Sequence, residues 1–108
     1  MNNAKKTTTT TKRATKTKTK RVIVRTYSAG VHYGTLLERA GTEVVLGDAR
    51  RLWSWQGANT LHEIAVRGVG RGSKVSEPVT SIVLTEAIEI IDCAPEAEAN
   101  LDAAKWGS

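Results

Sequence analysis

From Lys5 to Arg21 the chain carries no apolar side chain larger than that of Ala14; everything else there is threonine, lysine or arginine. Nothing in such a stretch offsets the entropy lost when a backbone is ordered. Residues 1–21 are therefore predicted to be a disordered arm, and residues 22–108 a single folded domain. The division is also electrostatic. Lys5, Lys6, Lys12, Arg13, Lys16, Lys18, Lys20 and Arg21 give the arm +8 with no carboxylate, whereas eight basic and eleven acidic side chains leave residues 22–108 at −3, for a net +5. A basic protein is usually read as a nucleic-acid-binding domain; here the domain itself is mildly acidic.

Evenly spaced lysines repel one another and block sheet stacking, so the threonines of the arm do not make it a strand. Eight cations on a flexible chain bind polyanions nonspecifically through counterion release; the alternative is a solubility tail or a tether. The arm lacks the apolar segment of a secretory signal and is neither amphipathic nor Arg-rich like a transit peptide. No run reaches membrane-spanning length, so no membrane partner is expected. The single Cys93 excludes an internal disulfide and a multi-cysteine zinc site, and fits a reducing cytoplasm. Phenylalanine is absent, while three tryptophans are present.

Short β-branched runs punctuated by glycine predict strands over residues 22–28, 31–37, 42–46 and 50–55, with Gly47-Asp48 as a turn between the last two. Thr60 and Glu63 have the spacing of a capping box that opens a short helix buried through Leu61, Ile64 and Ala65 and ended by Gly68. Residues 68–78 read as a mobile loop, and residues 80–93 as one long strand or a bent pair. Pro95, Glu96 and Glu98 open a terminal helix over Ala97, Leu101 and Ala104. The expected class is α+β: a small curled antiparallel β-sheet or SH3-like barrel with two short helices. The glycine pattern Gly30, Gly34, Gly41, followed by Val44, Leu46 and Asp48, is loosely similar to Sm-like and other SH3-like barrels.

On a strand through residues 50–55, Arg51, Trp53 and Trp55 share one face and Arg50, Leu52 and Ser54 the other. Three readings stand: the tryptophans replace the missing phenylalanine as core, they form an aromatic platform for a flat ring beside arginine, or they anchor a protein interface. Arg25 and Tyr27 put a cation and a phenol on one face of the first strand, as a phosphate or carboxylate contact or as a solvated face paired to a carboxylate. Glu86 falls in the apolar row Ile82, Leu84, Ile88, Ile90. Either a β-bulge near Ala87 turns it outward, or it is buried against Arg25, Arg50 or Arg51. Asn59 and His62 stand at the start of the first helix, Asn59 as a local cap or an anion contact. His32 and His62 are isolated, so no metal is expected. No catalytic triad, phosphate loop or paired carboxylate motif can be written, so neither an enzyme nor a cofactor is expected.

The runs Val24 to Val31, Ala49 to Trp53, Gly57 to Leu61, Ser76-Glu77-Pro78 and Leu84 to Ile91 together resemble a widespread family of small uncharacterised proteins of tailed bacteriophages and prophages. The likeness covers residues 22–106 and leaves out the arm. It implies an accessory protein made in the cytoplasm of a bacterial host, or carried in the virion, with no established enzyme activity. Proteins of this kind counter host defence, some as homo-oligomers that sequester nucleotide signals. By that analogy the expectation is a non-enzymatic binder of a small phosphorylated or nucleotide-like ligand, with Arg25, Tyr27, Arg50, Arg51, Trp53, Trp55 and Asn59 as its surface. The alternatives are a nucleic-acid-associated or virion protein held through its arm, and an inhibitor of a host protein.

Overall fold

The computed structural model describes residues 20–107. Six strands and two helices follow in the order β1 (Arg21–Thr26), β2 (Val31–Ala40), β3 (Glu43–Ser54), α1 (Leu61–Arg67), β4 (Lys74–Val75), β5 (Val79–Leu84), β6 (Ala87–Asp92) and α2 (Pro95–Ala103). β1 runs between β2 and β6, so both of its edges are paired, and a core cluster lies on each of its faces. Val22, Ile23 and Val24 are therefore all fully buried, as three consecutive β-branched residues in a central strand should be. All ladders are antiparallel.

The sheet runs β6-β1-β2-β3, and the outer edge of β3 is shared by β5 and β4. β5 and β6 thus pair at opposite edges although only Thr85 and Glu86 separate them. On a flat sheet four strand spacings of ~4.8 Å would hold those edges about 19 Å apart, whereas three Cα steps span only about 10 Å. The sheet has to bend across its strands. β5 and β6 form no ladder with each other, so the expected barrel is replaced by a sheet that is not closed.

The strands expected at 42–46 and 50–55 are one strand, β3. Gly47-Asp48 is a bulge and not a turn: Thr35 pairs with Gly47 and Tyr33 with Arg50, leaving an extra residue on β3, and Asp48 takes φ 47°. A Cβ on Gly34 would stand 2.8 Å from the Gly47 carbonyl oxygen, so β2 and β3 approach here as only glycine allows.

Each face of the sheet carries a core cluster. Ile23, Tyr33 and Leu52 meet Ile64 and Ala65 of α1 and Leu101 of α2. On the other face Val22, Val24, Val44, Leu46 and Ala49 meet Leu84 and Ala87. The Thr60 hydroxyl accepts from the Glu63 amide at 3.2 Å, and the Glu63 carboxylate accepts from the Asn59 amide, one residue earlier than the capping box predicts. Gly68 closes α1 at φ 87°.

Two further expectations change, and Glu86 takes the outward one of its two alternatives. Arg21 opens β1, pairs with Asp102 at 3.1 Å and lies 4.5 Å from the Tyr33 ring centroid, while Lys20 pairs with Asp92 at 3.2 Å. Both therefore belong to the folded unit. The rest of the predicted arm lies outside the described residues. Residues 68–78 are not an open loop: they contain β4, bury Ser73 and Val75, and are tied down where the Ser73 hydroxyl accepts from the Gln56 amide and donates to the Gly70 carbonyl. Glu86 is exposed in the β5–β6 link and accepts from the Ser28 hydroxyl; Ile88 bulges between the pairs Thr26–Ala87 and Arg25–Glu89.

Candidate functional site

The alternation is as the sequence predicts from Arg50 to Trp53, where the two sides meet opposite fates. Trp55, by contrast, lies past the end of β3 and packs against the helical-side cluster instead of sharing a face with Arg51 and Trp53. Arg50 points to the helical side and is buried. Its Nε donates to the Ser76 carbonyl at 2.7 Å, and its terminal nitrogens donate to the carbonyls of Leu101, Asp102 and Ala104 at 2.7, 3.1 and 2.5 Å. α2 has no basic residue in its last turn, so Arg50 supplies from β3 the cation that its C-terminal carbonyls call for. As a ligand contact Arg50 is corrected: four of its five N–H donors are already engaged by backbone carbonyls. Tyr33 sits beside it, donating its hydroxyl to Asp102 at 2.9 Å; burial and the Asp102 hydrogen bond push the phenol well above its ordinary range, so it stays a donor.

On the opposite side Arg51 is exposed and has no carboxylate partner among the described residues. Trp53 is 61% exposed, so it does not replace phenylalanine in the core; Trp55, partly buried against the helical cluster, does in part. Just past the end of β3, Trp55 stands between two adjoining clefts. One, of ≈ 470 Å³, is lined by Arg25, Trp55, Asn59, His62 and Glu89; the other, of ≈ 420 Å³, by Ser28, Arg51, Trp53 and Trp55. Gly30 and Val31 line both. The fold thus brings together Arg25, Arg51, Trp53, Trp55 and Asn59. Arg25 is held by its cross-strand neighbour Glu89 at 3.3 Å, and Arg51 is the cation free to meet a ligand. Tyr27, 80% exposed beyond the end of β1, lines neither cleft.

Trp106 was not picked out by the sequence. It stacks on Trp53 with ring centroids 6.5 Å apart and planes at 27°, and Lys74 Nζ lies 5.6 Å from its ring centroid. It also lines a wider cavity of ≈ 1040 Å³ with Arg21, Arg50 and Lys105. The one available signal was a third tryptophan in a chain without phenylalanine, just beyond the last predicted helix. Burial lowers the His32 pKa and pushes the Cys93 thiol up to about 12, the latter reinforced by the Glu98 charge. Among the described residues no group of three His, Cys, Asp or Glu side chains could hold a metal ion, and no helix is long and apolar enough to cross a membrane.

Residues 19–101 match a family model described as Domain of unknown function (DUF6948). No curated protein and no solved structure matches the chain.

Proposed function

The chain belongs to the DUF6948 family, and we propose that it is a non-enzymatic phage accessory protein whose Trp55 clefts sequester a small phosphorylated, nucleotide-like ligand of host defence. The observation that carries the reading is the convergence of Arg25, Arg51, Trp53, Trp55 and Asn59 on two clefts that share a wall. Each cleft falls within the range of about 300–1,000 Å³ usual for small-molecule sites. Arg51 offers a planar fork for a phosphate. The indoles of Trp53 and Trp55 offer faces for a base, and the Asn59 side chain is exposed at the far end to read its polar edge. We read the clefts as a site of binding and not of turnover; the Ser28 hydroxyl of the second cleft is held by the Glu86 carboxylate. In this reading the protein acts in the host cytoplasm as a homo-oligomer, which multiplies the number of sites per particle.

Thermal-shift measurements against cyclic nucleotides and cyclic ADP-ribose isomers test it. A ligand at a hundred times its Kd raises the apparent stability by about 2.7 kcal/mol, and the shift should disappear in Arg51→Ala and Trp53→Ala, both of which alter exposed side chains. Absence of any shift across the series, or a shift that both variants retain, refutes the assignment.

A further inference from the structure

We propose that the exposed Trp53–Trp106 pair and the cations around it form a docking face for single-stranded nucleic acid, which adjoins the Trp55 clefts and shares Trp53 and Arg51 with one of them. Trp53 and Trp106 are 61% and 56% exposed and lie side by side with their planes only 27° apart. Two indoles left in water at such cost mark an interaction surface, and an aromatic face stacks on any base. The platform is fixed in place. Trp53 belongs to β3, while Trp106 bridges to Lys74 and is followed by Gly107, whose amide donates to the Ser73 carbonyl at 2.8 Å. Little ordering is left for a strand to impose on binding.

The charges separate in the same way. Among the described residues the ion pairs engage Lys20, Arg21, Arg25 and Arg67. Arg51, two residues from Trp53, Lys74 against the Trp106 ring, and Lys105 beside it have no carboxylate partner. Arg71, in a neighbouring cleft with Ala103 and Ala104, has none either. The carboxylates of the adjoining cavity are Asp102, neutralised by Arg21, and Asp48 and Glu77. Those last two suit base amino groups and repel phosphate, which favours a strand whose bases are free to turn inward. Arg21, the first residue of β1, lines the same cavity as Trp106.

The test is anisotropy of a labelled fifteen-nucleotide oligo-dT strand with the full-length protein, Trp106→Ala and a Lys74→Gln/Lys105→Gln double variant, each checked by circular dichroism. Binding should weaken about 5- to 100-fold in Trp106→Ala at fixed salt, since one stacked base is lost, with the salt dependence unchanged. The double lysine variant should instead flatten the slope of log affinity against log salt by roughly 1.4. None of Trp106, Lys74 and Lys105 lines the Trp55 clefts, so nucleotide shifts there should persist in both variants, and the two proposals fail separately. Equal affinity of wild type and Trp106→Ala, preference for a duplex of the same length, or no binding at about 50 mM salt overturns the proposal.

Discussion

Replacing Arg50 by methionine should be the most damaging single change at an arginine of this protein. The side chain is 8% exposed and its guanidinium serves four backbone carbonyls, three of them at the end of α2. A charge-assisted hydrogen bond contributes roughly 1.5–3 kcal/mol, but four on one group do not add. Methionine fills most of the volume, water reaches the Ala104 end, and the remaining carbonyls lose their partner. A loss of about 3–5 kcal/mol is expected, in line with other buried charged groups broken from one side. That is a large part of the ~5–15 kcal/mol that holds a small domain together, and corresponds to a fall in Tm on the order of 12–40 °C. The matching experiment uses Arg51→Met, one residue away but exposed on the other face, which should stay within about 0.5 kcal/mol of wild type. Thermal and urea unfolding followed by circular dichroism read both. If Arg50→Met were neutral, or if Arg51→Met were the more destabilising, the assignment of Arg50 to the α2 terminus would be wrong.

Gly34→Ala should cost about 1–3 kcal/mol, because its new methyl would meet the Gly47 carbonyl and force β2 from β3; an unchanged urea midpoint would contradict the close approach. His32 is buried with its Nε2 against the Ala29 carbonyl at 2.9 Å, and its pKa lies below the ordinary 6.5. The unfolded chain therefore takes up a proton at His32 before the folded one does, and stability should fall as pH drops below about 6.5. His32→Gln should flatten that part of the stability profile, and an identical profile would refute it. With its pKa pushed up to about 12 by burial, Cys93 should react with a thiol-disulfide reagent at pH 8 at least about a hundredfold more slowly in the folded protein than in urea; equal rates would show the thiol to be open.

The sequence carries the helices well because their limits are written in local chemistry: Thr60 with Glu63, Gly68, and Pro95 before Glu96 and Glu98. It carries β3 poorly because Gly-Asp satisfies a tight turn and a bulge equally, and only pairing with β2 selects the bulge. That bulge also hides the role of Arg50. Counting by twos from Val44 and Leu46 places Arg50 in their row, whereas the extra residue at Asp48 shifts Ala49 and Arg51 into it and turns Arg50 toward α2. The relative faces of Arg51, Trp53 and Arg50 were legible, and five of the residues singled out line two adjoining clefts. Which arginine was free was not, since that depends on a helix terminus some fifty residues away. Trp106 was invisible for a similar reason: it reaches Trp53 through a bridge to Lys74 in a segment that reads as loop.

The account rests on the Trp55 clefts as a ligand site, and the most direct measurement reports from Trp55 itself. Trp53→Phe/Trp106→Phe leaves Trp55 as the single indole of the chain while keeping an aromatic ring at each replaced position. Titrated with phosphorylated nucleotides, this variant should show a saturable change in Trp55 emission, and adding Arg51→Ala should raise the Kd at least about tenfold, as expected when a charged hydrogen bond to phosphate is lost. An emission spectrum indifferent to every nucleotide, or a titration that Arg51→Ala leaves in place, would contradict the claim.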